Sequence, residues 1–258
     1  VMTTPFYIPQ HDECAIFEMA YREKLPVLLK GPTGCGKSRL VEYMAHKLDR
    51  PLISVAANED TSAVDLVGRY LIEGGQTVWQ DGPVTRAMRL GGMLYVDEFA
   101  EARADVVVVL HPLSDHRRTL YVDRHDEEIT APDTFMLVAS YNPGYQHSLK
   151  EVKPSTRQRF VTIRLDYPEE AVEVKIVCGE TQIDESASKR LVKLARKIRE
   201  ADSLGLAEAP STRLLVHAAR LMNAGLDPRT ACKVAVVEPL TDDPVLAKGL
   251  QDVVALVF

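Results

Sequence analysis

Eight residues, Gly31 to Ser38, restrict the folds open to this chain more than any others. They read GPTGCGKS and stand between an apolar run, PVLLK at 26–30, and SRLVEYMAHKL at 38–48. In the latter, Leu40, Val41, Met44, Ala45 and Leu48 fall on one helical face. A G-x-x-x-x-G-K-[ST] run that ends a strand and opens a helix turns its backbone N–H groups inward, where they cradle phosphate oxygens. The positive end of the helix dipole adds to that field. Gly31, Pro32, Thr33, Gly34, Cys35, Gly36, Lys37 and Ser38 are therefore the expected nucleotide-binding residues. Lys37 is placed to reach the β- and γ-phosphates, and Ser38 to set its hydroxyl on Mg²⁺.

A strand followed by a helix and another strand implies a right-handed crossover and an α/β sheet. Four more strand-like runs follow: PLISVAA (51–57), GGMLYVDE (91–98), TFMLVASYN (134–142) and FVTIRLDY (160–167). PVLLK, GGMLYVDE and TFMLVASYN are nearly continuous apolar runs, as strands buried on both faces of a parallel sheet read. ADVVVVLHPLSDH (104–116) carries four valines, which favour a strand by propensity. Its place between the third and fourth strands favours a crossover helix, and helix is our reading. RYLIEGGQTVWQ (69–80), with Gly74-Gly75 between apolar runs, and RRTLYVDRHDEEIT (117–130) read as hairpins inserted into the core. Beyond Tyr167-Pro168 every segment reads as helix, with Asp227-Pro228 and Asp243-Pro244 as helix starts. The expected division is an α/β nucleotide-binding domain at 1–167 and helices at 168–258.

The third strand run ends in Asp97-Glu98. Beside a phosphate loop, Asp97 can join the Mg²⁺ shell and Glu98 can orient or deprotonate an attacking water. Asn142, at the end of the fourth run, can hydrogen-bond the γ-phosphate or that water, or serve only in the turn before Pro143-Gly144. A strand-borne Asp-Glu pair argues for water as the phosphoryl acceptor. No N-K-x-D guanine-reading motif occurs, so ATP is the expected nucleotide. KPSTRQRF (153–160) sets Arg157 and Arg159 one residue apart just before the fifth strand, where they would hold a planar anion.

The bulk numbers exclude little beyond this. A net charge of −6 counts against sequence-independent nucleic-acid binding. No run reaches the 18 apolar residues of a membrane span, no charged leader with an apolar core opens the chain, and Cys14, Cys35, Cys178 and Cys232 are scattered. A reducing, cytoplasmic setting is expected. His111, Asp115 and His116 are close in sequence but fit no metal geometry, and Trp79 and EPLTDDP (238–244) read first as packing and as a helix-capping loop.

GPTGCGKS, a hairpin, MLYVDE, a second hairpin, SYNPG, STRQRF and then helices with PSTR resemble, in that order, the MoxR branch of the AAA+ ATPases. Segment lengths and VVEPLTDDP resemble the CbbQ/NorQ/GvpN subgroup, its CbbQ members most closely. The resemblance implies Walker A at Gly34, Gly36, Lys37 and Ser38, Walker B at Asp97 and Glu98, sensor 1 at Asn142 and sensor 2 at Arg213. It also implies that Arg157 or Arg159, undecided between them, is an arginine finger aimed at a neighbour's γ-phosphate. The functional unit would then be a homo-oligomeric ring, a hexamer by analogy. CbbQ-like action implies a von Willebrand A domain partner (CbbO-like) and release of inhibitory sugar phosphates from Rubisco. The rivals are NorQ-like maturation of nitric oxide reductase or another metalloenzyme, a nucleotide-gated binding module with incidental turnover, and a DNA-associated motor, which the acidic charge disfavours.

Overall fold

The computed structural model describes residues 4–143, 152–201 and 206–258; Gly144, the second residue of the expected turn, lies outside them. Helix α1 (Glu13–Arg22) precedes strand β1 (Val27–Lys30), and α2 (Lys37–Lys47) leads to β2 (Leu52–Ala56). Then come α3 (Ala63–Val67), the hairpin β3 (Gly68–Glu73) and β4 (Gln76–Asp81), α4 (Pro83–Leu90), β5 (Met93–Asp97) and α5 (Ala104–Leu110). The second hairpin, β6 (Thr119–Val122) and β7 (Glu127–Thr130), is followed by β8 (Met136–Tyr141), the short α6 (Pro154–Arg157) and β9 (Val161–Arg164).

Five of these strands form one parallel sheet in the order β2-β5-β8-β1-β9, and they are the five runs expected from hydropathy. Alternate side chains feed two different layers, as the period of two requires. Leu28, Leu94, Val96, Leu137 and Ala139 join Met88 and Phe135 on one side. Val27, Leu29, Met93, Tyr95, Met136 and Val138 join Phe17, Leu40 and Met44 on the other. The four-valine segment is helical, as its crossover position demands: tertiary context outweighs β propensity, and Val106 and Leu110 go into the core while Val108 stays exposed.

Gly74 and Gly75 both adopt positive φ (57° and 81°), the primed two-residue turn expected of β3–β4. The two hairpins, unconnected in the sequence reading, are fastened to each other. The His125 ring stacks on Trp79 at 4.8 Å and 10°, Tyr70 meets Trp79 edge-on at 5.0 Å, and Tyr70 Oη lies 3.0 Å from His125 Nδ1. Arg89 of α4 bridges them as well, donating to Glu127 at 2.9 and 2.6 Å and to Asp81 at 2.8 Å. Trp79 is thus a packing residue, its Nε1 donating to Asp81 at 2.7 Å, while Ile72 on β3 is left 82% exposed.

From Glu170 onward the regular elements among the described residues are helices: α7 (Glu170–Thr181), α8 (Glu185–Arg199), α9 (Thr212–Asn223) and α10 (Pro228–Cys232). Helix α10 runs through a π turn at Lys233–Val237 into α11 (Glu238–Leu240), and α12 (Pro244–Val257) closes the chain. Asp227 and Asp243 accept from Thr230 N and Val245 N, the caps read from the two Asp-Pro pairs. These helices bury their own core, with Val177, Leu191, Leu194, Leu215, Val236 and Leu250 at its centre. Among the described residues no helix is long and apolar enough to cross a membrane.

One charged group sits inside that helical core. Glu173 on α7 is fully buried, accepts from both Arg199 guanidinium nitrogens at 2.8 Å, and takes Thr212 Oγ1 at 2.7 Å. Removing one partner of a buried pair leaves the other charge uncompensated, which costs about 3–5 kcal/mol. Urea denaturation of Glu173→Ala should show a loss of that size. A change within about 1 kcal/mol, the scale of an exposed pair, would mean that Arg199 is solvated instead.

Candidate functional site

In a parallel sheet, ligands collect beyond the carboxyl ends of the strands. Here β1 leads into the glycine-rich loop, β5 ends in Asp97, and β8 ends just before Asn142. A cleft of about 570 Å³ opens at that edge and is lined by Gly34, Lys37, Ser38, Asp97, Glu98, Asn142 and, on α9, Arg213, all expected from sequence.

The loop folds as its glycines dictate. Gly34 has φ +69° and Gly36, the residue capping α2, has φ +103°, both in the left-handed region. At Gly34 a second reason for glycine is visible: a Cβ there would lie 2.5 Å from the side chain of Ser211, the residue just before α9. The loop and the helical region are therefore in direct contact. Lys37 Nζ donates to the carbonyls of Gly31 and Pro32 at 2.9 and 2.8 Å and lies 4.0 Å from Cys35 Sγ. Burial pulls the Lys37 ammonium below the usual lysine value and pushes the Cys35 thiol up, so Cys35 is an apolar wall of the loop. Thr33 ties the loop to two other elements, its hydroxyl donating to Glu208 at 3.3 Å and accepting from Asn142 Nδ2 at 3.4 Å.

Glu98 is exposed and adopts left-handed φ and ψ of 54° and 40°, an uncommon conformation for a residue with a side chain. Its amide donates to Asp97 Oδ1 at 3.0 Å. Burial pushes the Tyr95 phenol well above its ordinary range, so it stays a neutral hydroxyl between Ser38 and Ser140. Ser38 and Asp97 offer a hydroxyl and a carboxylate at one edge of the cleft, hard oxygen donors of the kind Mg²⁺ takes.

The charges divide by distance from the loop. Farther out, Arg39 pairs with Glu42 and Glu180 at 3.2 Å, and Arg220 meets Glu180 at 3.7 Å. Among the described residues, Lys37 and Arg213 line the cleft without a carboxylate partner, which leaves both cations for an anionic ligand. Arg157 and Arg159 lie outside this cleft and differ from each other. Arg159 Nη1 donates to Asp115 at 2.8 Å, and Asp115 also holds Arg117 at 2.7 Å. Hydrogen bonds from Arg117, then Arg159, keep the Asp115 carboxyl far below the carboxylate range. Arg157, at the end of α6, is exposed and pairs with no carboxylate among the described residues.

One wall of the cleft was not legible in the sequence. Phe6, Tyr7, Ile8 and Gln10 line the cleft with Ile176 of α7 and His217 of α9. Glu13, the first residue of α1, pins that segment, accepting from Tyr7 Oη at 2.8 Å, Gln10 N at 2.7 Å and His11 N at 2.8 Å. Burial works to raise the Glu13 carboxyl, but these donors together hold it below its usual value. An acidic residue opening a helix was the only sequence signal, and it named no partner.

Residues 26–160 match the family described as AAA domain (dynein-related subfamily), and residues 173–257 match CbbQ/NirQ/NorQ C-terminal. Protein NorQ of Paracoccus denitrificans is 57% identical across 98% of this chain and 94% of its own length. The denitrification regulatory protein NirQ of Pseudomonas aeruginosa is 54% identical across 98% and 97%. Protein CbbQ of Hydrogenophilus thermoluteolus is 49% identical across 100% and 97%. Among solved structures, a RuvB mutant of Thermotoga maritima covers 96% of the chain and 71% of its own at a TM-score of 0.59. At 16% identity that likeness speaks for the fold alone. The phosphate loop, the acidic strand end and the helical region beside them thus recur as one unit, and the chain belongs to the AAA+ ATPases, in the CbbQ/NirQ/NorQ family of the MoxR branch.

Proposed function

We propose that this protein hydrolyses ATP as a ring of its own copies, six by analogy, and uses that cycle to mature nitric oxide reductase or a related metalloenzyme of denitrification. A von Willebrand A domain protein is the proposed partner on the target side. The observation that carries the reading is the order of the relatives: 57% identity to NorQ and 54% to NirQ, against 49% to CbbQ, each over nearly the whole chain. The segment lengths and VVEPLTDDP favoured CbbQ-like action on Rubisco. The relatives reverse that preference, and the Rubisco reading stands second on the 49% match.

In this reading the backbone N–H groups of residues 33–38 hold the phosphates, with Lys37 and Arg213 countering their charge. Mg²⁺, held by Ser38 and Asp97, supplies further charge neutralisation at the phosphates when bound. Glu98 orients and deprotonates the attacking water, and Asn142 holds that water or the γ-phosphate. Arg157 of one subunit completes the site of the next; it is exposed and pairs with no carboxylate among the described residues. Arg159, fixed to Asp115, holds the segment that carries it.

The test co-expresses the nitric oxide reductase of the source organism with and without this chain and the von Willebrand A partner. Nitric oxide reduction and the metal content of the purified reductase are then measured. Full activity should require both proteins and an intact Glu98. Reductase that is equally active without them sinks the reading. A parallel arm in which the pair reactivates inhibited Rubisco would move the second reading to first.

A further inference from the structure

Behind the cleft runs a chain of hydroxyls that joins the two residues assigned to the metal. Tyr95 of β5 is 3% exposed, and its Oη lies 3.1 Å from Ser38 Oγ and 3.0 Å from Ser140 Oγ. Ser140 of β8, fully buried, donates in turn to Asp97 Oδ1. We propose that Tyr95 and Ser140 are positioning residues that aim the Ser38 hydroxyl oxygen and the second Asp97 oxygen at the metal of the nucleotide complex. This rests on the nucleotide-site reading above.

The sense of the chain follows from counting protons. A carboxylate only accepts, and each hydroxyl has one proton to give. Ser140 spends its proton on Asp97, so Ser140 Oγ accepts from Tyr95. Tyr95 has then used its proton, so its oxygen accepts from Ser38. The Ser38 proton therefore points back into the protein, and its lone pairs are left for a cation. At the other end, Ser140 and the Glu98 amide both occupy Asp97 Oδ1. Oδ2 is left without a protein donor among the described residues. A single relay thus orients donors that come from a loop and a strand end 59 residues apart. Apart from Ser38, Ser140 and the nearby Asp97 carboxylate, the Tyr95 setting is apolar, including Met93, Met136 and Leu40, which confines the phenol's hydrogen bonds to this cluster.

Partners that orient a metal ligand in this way change metal affinity by about 10–100-fold when removed. Tyr95→Phe deletes only the hydroxyl and keeps the ring in its layer. The protein is saturated with ADP, and its affinity for Mn²⁺ is read from the EPR signal of the free ion. ADP affinity is measured separately in EDTA. Tyr95→Phe and Ser140→Ala should each weaken Mn²⁺ binding by about 10-fold or more, with ADP affinity in EDTA unchanged. The double variant should lose no more than the larger single loss, because both changes break one chain. Unchanged Mn²⁺ affinity overturns the proposal while ADP binding in EDTA shows that the nucleotide site stands. An equal loss of ADP affinity in EDTA also overturns it, since Tyr95 would then shape the loop and not aim the hydroxyl. If the unaltered protein binds no ADP, the nucleotide-site reading itself falls and takes the relay with it.

Discussion

Arg157→Ala is expected to lower ATP turnover by about 10³–10⁵-fold while ATP affinity stays near that of the unaltered protein. An arginine supplied by a neighbour stabilises charge that builds on the phosphoryl group during hydrolysis, so its loss appears in kcat more than in binding. The structure separates the two candidates by their partners. Arg159 already spends hydrogen-bonding capacity on Asp115 at 2.8 Å, while Arg157 is exposed at the end of α6. Arg159→Ala should have the smaller effect on turnover, because Asp115 keeps Arg117. Action across the interface has its own signature. Arg157→Ala and Glu98→Gln subunits, each inactive alone, should regain turnover when mixed, since some interfaces then join an intact Arg157 to an intact Glu98. Phosphate release from mixed rings shown to exchange subunits measures this. A full loss in Arg159→Ala with a near-normal Arg157→Ala would reverse the assignment, and no rescue in exchanging rings would end it.

Glu98→Gln should cut hydrolysis by about 10²–10⁴-fold, the range for a positioned general base, and leave ATP bound. The amide keeps the shape of the side chain and removes its basicity. Asp97 and Lys37, which serve metal and phosphate in this reading, are untouched. Lys37→Ala should behave differently and weaken nucleotide binding itself, because Lys37 lines the cleft with no carboxylate partner among the described residues. Calorimetric ATP titration and steady-state phosphate release distinguish the two outcomes. The left-handed backbone at Glu98 sharpens the expectation: it sets that carboxylate at the cleft edge and separates it from Asp97, whose Oδ1 takes the Glu98 amide. Wild-type turnover in Glu98→Gln would remove Glu98 from the chemistry.

What the sequence determined by itself is the part that depends on neighbours along the chain. GPTGCGKS specifies its own turn because glycine permits the positive φ values at residues 34 and 36. Apolar runs and their period specify five strands, three of them buried along most of their length, and Asp-Pro pairs specify helix starts, since cap and first turn are two or three residues apart. The tertiary structure alone decided which distant groups meet. Ser38 reaches Tyr95 and Tyr95 reaches Ser140 across separations of 57 and 45 residues. Arg159 finds Asp115 across 44, and Glu173 collects Arg199 and Thr212 inside a helical core. Phe6 and Tyr7 become part of the cleft only because Glu13 gathers their segment against α2 and the helical region. Periodicity says that a residue is buried and on which face of its element. It does not say which polar groups that burial will force to satisfy one another, because that depends on the packing of every element at once.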